Sequence, residues 1–111
     1  MGEEDKFQEQ IADIGVRFLK RTLGEIAQLS GCLQSVRDGS VDSLKQLERL
    51  AHKIHGSGAM FGFDELSERA SEIERLAATG CYDSTSLDRI EEALRVLEVQ
   101  VGKAAREGGV Q

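Results

Sequence analysis

Apolar residues recur every three or four positions along almost the whole chain, which is the spacing of one buried face of an α-helix. Glycine, serine and aspartate cluster between these stretches at residues 37–40, 62–64 and 80–86, and these clusters predict turns. Because the predicted connections are short, consecutive helices should be antiparallel neighbours. The pattern therefore predicts an all-α fold, an antiparallel up-down-up-down four-helix bundle.

The apolar stripe of the first segment changes phase near Gly15. The positions on its two sides are Phe7, Ile11, Ile14 and Phe18, then Leu19, Leu23, Ile26, Leu33 and Val36. Because glycine is a poor helix former, we expect a break there that sets off a short extra N-terminal helix. We accordingly predict one domain over residues 1–111, with a leading helix at 1–14, the bundle at 15–103 and a flexible tail at 104–111.

Composition narrows the classes of function. The formal net charge of −6 argues against binding to nucleic acid, because such proteins neutralise phosphates with lysine and arginine. No apolar run is long enough to span a membrane and the first residues do not resemble a signal peptide, so we expect a cytoplasmic protein. Cys32 and Cys81 are far apart in the sequence, which indicates small apolar residues or free thiols and not a disulfide.

Both histidines of the chain, His52 and His55, lie in one turn of the second predicted helix. At about 100° per residue, His52 points roughly 130° away from the centre of the apolar stripe of residues 44–61. We therefore expect its side chain to lie in solvent. His55 lies about 70° from that centre, at the boundary between core and solvent.

Charged side chains three, four or seven positions from His52 share its face of the helix. Two of them, Lys45 and Arg49, are cations that can hold a phosphate carried on the imidazole. Glu48, one turn earlier, can accept a proton from one ring nitrogen and leave the other nitrogen as a nucleophile.

Two glycines follow the histidines inside an otherwise good helix. Gly56 and Gly58 should each cost up to about 1 kcal/mol relative to alanine. Two such penalties beside an exposed histidine indicate that a partner comes close to this backbone. The alternative is that the helix ends near Gly56, but the apolar stripe continues in phase as far as Phe61.

The segment HKIHGSGAMFGF, residues 52–63, resembles the signature of histidine-containing phosphotransfer (HPt) domains. The resemblance covers roughly residues 18–101, and its specific motif lies between residues 47 and 63. It implies that His52 is the phosphoacceptor, that Gly56 gives a partner access, and that Phe61 and Gly62 form the turn into the third helix.

One departure from the family pattern matters for how the phosphate is held. The residue three positions after the phosphoacceptor is often lysine in the family, and here it is His55. A neutral imidazole stabilises a phosphate less than an ammonium group does. Lys53, Lys45 or Arg49 would then share the task of holding the phosphate.

The resemblance also implies a function. The domain would be a phosphoryl carrier and not an enzyme, relaying a phosphoryl group between aspartates of response-regulator receiver domains in a multistep phosphorelay. Its partners would be receiver domains and a hybrid histidine kinase, and the domain itself would be a monomer. It would need no cofactor of its own, since Mg²⁺ is expected on the receiver and the sequence has no G-x-x-x-x-G-K-[ST] nucleotide loop.

Two alternatives stay open. His52, His55 and Glu48 would make a conceivable metal cluster, but bundle metal sites point inward and the chain has no third histidine, so we predict no metal site. The other alternative is an HPt-like adaptor that docks on a receiver domain or kinase without carrying phosphate. The predicted site is His52 with its supporting residues Lys45, Glu48, Arg49, Lys53, His55 and Gly56.

Overall fold

The computed structural model describes the backbone of residues 3–109 and the side chains of residues 15–107. Its four helices are α1 (Glu3–Arg37), α2 (Ser43–Met60), α3 (Asp64–Ala78) and α4 (Ser84–Gly109), and there is no strand in this part of the chain. Each helix packs on two others: α1 and α3 each contact both α2 and α4. The prediction of an all-α four-helix bundle is confirmed.

The helical stripes meet in one apolar core. The apolar stripes of the last three helices are buried except at Phe61, the last position of the stripe of residues 44–61, which is 36% exposed, contrary to the prediction. The buried residues are Leu44, Leu47, Ala51, Ile54, Leu66, Ala70, Ile73, Ala77, Leu87, Ile90, Leu94, Leu97 and Val101. Burial of such side chains supplies most of the favourable free energy of folding. The same stripes fix which face of each helix remains in solvent, so they also orient the histidines.

Helix α1 runs without interruption through Gly15, so the break expected there is absent. The apparent change of phase came from counting Leu23 as a core residue. Leu23 is 44% exposed, and Thr22 takes the core position. The Thr22 hydroxyl donates a hydrogen bond to the carbonyl of Phe18 at 2.8 Å, which satisfies the buried polar group.

The two ends of the chain also differ from the expectation. The backbone is helical as far as Gly109, where a flexible tail was expected from residue 104. The apolar positions Phe7, Ile11 and Ile14 lie outside the described side chains. The grouping of residues 1–111 into one domain stays a prediction.

The turn between α2 and α3 has a geometry that the sequence specifies. Gly62 has a φ of 81°, a left-handed conformation that glycine adopts without steric cost. The Phe63 amide donates to the carbonyl of Gly58 at 2.8 Å, and the Gly62 amide donates to the carbonyl of Ala59 at 3.2 Å. These two bonds form a Schellman motif, which ends α2 and directs the chain into α3.

No helix in the described part of the chain combines the length and the apolar character needed to span a lipid bilayer. Both cysteines are free thiols, Cys32 half-buried and Cys81 exposed, as predicted.

Candidate functional site

Helices α2 and α3 approach each other closely because α2 carries a glycine at the contact. A Cβ atom added to Gly58 would lie 3.2 Å from Leu66 Cδ2 and 3.3 Å from Ser67 Cβ, tighter than most real contacts. The Ser67 hydroxyl donates a hydrogen bond to the carbonyl of His55 at 2.8 Å and ties the two helices together. Gly58 is therefore a packing residue within the bundle, and its prediction as an access point for a partner is wrong.

His52 lies on the outer face of α2. Its side chain is 72% exposed, whereas the neighbouring Ala51 and Ile54 lie in the core. The predicted orientation of the ring is thus confirmed. His55 lies at the edge of the core with 40% of its side chain exposed, which also agrees with the prediction.

A carboxylate on α3 holds the His52 ring. The Nδ1 atom of His52 lies 2.8 Å from Oε1 and 3.1 Å from Oε2 of Glu74. A carboxylate can only accept hydrogen bonds, so in the neutral imidazole Nδ1 carries the proton and donates it to Glu74. The lone pair of the neutral ring then belongs to Nε2, which makes no hydrogen bond to any described residue.

Glu74 remains ionised near neutral pH because its surroundings favour the charged form. Partial burial works to raise the pKa of Glu74, but the hydrogen bond from His52 and the charge interactions with His52 and His55 outweigh it and hold the pKa below its usual value. The carboxylate is therefore available both to orient the neutral ring and to stabilise positive charge on it.

Glu74 takes the role that the sequence predicted for Glu48. Glu48 lines a shallow depression beside His52, but the His52 ring is hydrogen-bonded across the helix pair and not to its own helix. The prediction for Glu48 as proton acceptor is wrong. The spacing along α2 could propose only partners on α2, whereas the acceptor comes from α3.

The predicted cations divide into two groups. Lys45 and Arg49 line the same depression as His52 and Glu74. Lys53 instead lies 3.9 Å from the carboxylate of Glu25 on α1. The structure thus brings two of the predicted cations to the histidine and directs the third toward the other side of α2.

His55 also faces Glu74. Its Nδ1 atom lies 3.5 Å from Glu74 Oε2, close enough for an ion pair when His55 is protonated. The rings of His52 and His55 are nearly perpendicular, at 85°, with centroids 6.4 Å apart. The carboxylate of Glu74 therefore contacts both imidazoles.

Gly56 differs from Gly58 in its surroundings. Gly56 is exposed, and a Cβ atom added to it would meet nothing within 4 Å. The packing of the bundle does not require glycine at this position. His52, Gly56 and Ala59 are spaced by four and three residues and are all exposed, so they form one open strip along α2.

A four-helix bundle with an exposed histidine, hydrogen-bonded to a carboxylate of the adjacent helix, has the architecture of a phosphoryl-carrier domain. The family model described as Hpt domain matches residues 16–106, and the chain belongs to that family. Hpt domains take part in histidine phosphotransfer in phosphorelay signalling, where they interact with response-regulator receiver domains and kinases and act as carriers, not as enzymes. No curated protein and no solved structure matches the chain.

Proposed function

We propose that this domain accepts a phosphoryl group on Nε2 of His52 from the aspartyl phosphate of one receiver domain and passes it to the aspartate of another. The observation that carries the proposal is the 2.8 Å contact between His52 Nδ1 and Glu74 on an otherwise exposed ring. Because Nδ1 holds the proton, Nε2 is the nucleophilic nitrogen and is open to solvent.

The chemical step is an in-line displacement at phosphorus. The lone pair of Nε2 forms the N–P bond while the bond from phosphorus to the aspartyl oxygen breaks, and the aspartate leaves as a carboxylate. The ring becomes positively charged, and Glu74 stabilises that charge through the Nδ1 proton. The Mg²⁺ expected on the receiver would neutralise the phosphoryl oxygens during transfer. The reverse reaction with a second receiver completes the relay.

The groups around the ring support this chemistry. Lys45 and Arg49 line the depression next to His52 and offer positive charge to the phosphoryl oxygens. Gly56 leaves the strip beside the ring without a side chain, so a receiver can approach the histidine closely. A monomeric domain acting in the cytoplasm remains part of the proposal.

The test is direct transfer of label. A receiver domain is phosphorylated with ³²P-labelled acetyl phosphate, freed of the donor and incubated with the domain and Mg²⁺. We expect acid-labile, base-stable label on the wild-type domain, the stability pattern of phosphohistidine. His52→Gln should abolish the label, and the matched variant His55→Gln should retain it.

Two results would contradict the proposal. Label that persists in His52→Gln would place the acceptor elsewhere. Binding of several receivers without transfer of label to the wild-type domain would identify the chain as a docking adaptor.

A further inference from the structure

The site contains three side chains of the types that bind transition metals. His52 and His55 of α2 and Glu74 of α3 each offer one ligand atom, and these atoms lie within 4.8 Å of one another. The sequence predicted no metal site because bundle metal sites point inward and the chain has no third histidine, and the only carboxylate considered beside the histidines was Glu48. Glu74 replaces Glu48 as the carboxylate and faces both imidazoles from the opposite helix.

Two of the three separations are close to those around a single ion. Zinc binds histidine nitrogen at about 2.0–2.1 Å and carboxylate oxygen at about 2.0–2.2 Å, so ligand atoms of a tetrahedral site lie roughly 3.3 Å apart. The Nδ1 atoms of His52 and His55 lie 2.8 Å and 3.5 Å from the oxygens of Glu74. These two distances, one to each oxygen of Glu74, bracket the value that a tetrahedral zinc ion requires. The ligand atoms of the two histidines lie within 4.8 Å of each other, so the rings need to move closer together by about an ångström or more only if they lie at that limit.

The burial of His55 supplies a second observation. Its Nδ1 atom is buried, and it makes no hydrogen bond with any described residue. A buried polar atom without a partner costs free energy, and such atoms in native proteins often bind an ion or a water molecule. This nitrogen, which has no hydrogen bond, faces the Glu74 carboxylate at 3.5 Å, where an ion shared with His52 would lie.

We propose that His52, His55 and Glu74 bind Zn²⁺, and that the bound ion prevents phosphorylation of His52. Three protein ligands with a further position open to solvent are typical of accessible zinc sites. The exposure of His52 allows the ion to enter and leave.

The block on phosphorylation follows from the tautomer and rests on the proposed function. When zinc takes the lone pair of Nδ1, the proton of the neutral ring moves to Nε2. Nε2 then has no lone pair with which to attack phosphorus. Metal binding and phosphoryl transfer are thus mutually exclusive uses of one imidazole.

Zinc binding is tested first on the domain alone. The protein is titrated with ZnSO₄ in competition with a chromophoric chelator, and in parallel with Co²⁺, whose visible absorption reports nitrogen and oxygen ligands. We expect one equivalent to bind. His55→Lys and Glu74→Gln should each raise the zinc Kd by more than about tenfold, since even outer-shell substitutions commonly cost that much. The control Glu48→Gln should leave the zinc Kd unchanged.

Phosphoryl transfer is then measured with and without one equivalent of Zn²⁺, and each variant is compared with its own zinc-free rate. We expect zinc to suppress labelling of the wild-type domain and to spare His55→Lys, which keeps the phosphoacceptor but lacks one ligand. Equal zinc affinity in the wild type and His55→Lys would overturn the metal site. Equal inhibition of both would overturn the block, because zinc would then act on the receiver. Absence of labelling without zinc would count against the proposed function alone, since the titration needs no transfer.

Discussion

Replacing Glu74 by glutamine tests the central feature of the site, a charged carboxylate on the proton-bearing nitrogen of His52. Glutamine has nearly the same shape, and its amide oxygen can still accept the Nδ1 proton at the distance that the carboxylate occupies, 2.8 Å. The substitution therefore removes the negative charge and leaves the packing of α3 in place. Any large effect on transfer must come from that charge or from the tautomer that it selects.

The size of the effect follows from the charge that develops on the ring. As Nε2 bonds to phosphorus, the imidazole becomes cationic, and Glu74 forms an ion pair with it. At roughly 4 Å such a pair is worth about 1 kcal/mol in water and about 4 kcal/mol near a protein surface. Because His52 is 72% exposed, the lower part of this range applies. A loss of about 1–2 kcal/mol slows transfer about 5- to 30-fold.

The amide adds a second effect in the same direction. Glutamine can rotate so that its NH₂ group donates to Nδ1, which moves the ring proton to Nε2. That fraction of molecules has no nucleophile on the exposed side of the ring. Glu74→Ala, which selects neither tautomer and has no charge, separates the two effects.

The assay is a single-turnover transfer from a labelled receiver domain, with the rate taken from rapid-quench time points. Far-ultraviolet circular dichroism and urea unfolding show whether each variant is folded. The matched control is Glu48→Gln, which removes a carboxylate from the same depression without touching the ring, and we expect its rate to stay within about twofold of wild type. A wild-type transfer rate in Glu74→Gln would refute the assignment of Glu74 as the carboxylate that orients His52. A loss of rate in Glu48→Gln as large as that in Glu74→Gln would refute it as well.

Two further predictions concern stability. Gly56→Ala should raise the unfolding free energy by up to about 1 kcal/mol because alanine is the better helix former and its Cβ has open space. Gly58→Ala should gain the same helix propensity but lose about 1–3 kcal/mol to overpacking against Leu66 and Ser67. In urea unfolding, Gly58→Ala should therefore be less stable than Gly56→Ala and no more stable than wild type. Because the pKa of Glu74 is lowered in the folded state, the unfolded state binds the Glu74 proton first as the pH falls. The stabilising contribution of Glu74 is therefore complete above the unfolded pKa of about 4.5 and is lost as the pH drops through the folded pKa. Unfolding free energies measured from pH 7 to 3 should fall less steeply in Glu74→Gln than in wild type, and parallel curves would contradict this.

Periodicity predicted the fold well because burial repeats at the helical spacing, and it failed where a polar residue occupies the core. Thr22 interrupts the apolar pattern of α1 in the sequence, yet its hydroxyl is satisfied by the carbonyl of Phe18 and the residue is fully buried. Leu23, counted in its place, shifted the stripe by one position and suggested a break that α1 does not have. If threonine is allowed at core positions, the stripe of α1 keeps one phase along its described length and predicts no break.

The site shows a different limit of sequence reasoning. His52 was found because its exposure follows from the stripe of its own helix, whereas its partner depends on how two helices are aligned. A signal was nevertheless available in the turn. In an antiparallel helix pair, residues equidistant from the turn face each other, and His52 and Glu74 lie eleven positions before and after Phe63, which follows the helix-ending Gly62. If the turn is located first, counting the same number of residues from it along α2 and α3 pairs His52 with Glu74 and not with Glu48.

The geometry that orients His52 for phosphoryl transfer is also what creates the potential metal site. A carboxylate that faces one imidazole fixes its tautomer, but Glu74 faces two imidazoles, and two nitrogens with one carboxylate are a zinc ligand set. A lysine in place of His55 would supply positive charge and no neutral nitrogen ligand at neutral pH. Compared with lysine at this position, His55 has no permanent positive charge but can bind a metal. The His55→Lys substitution therefore separates phosphoryl transfer from the response to zinc.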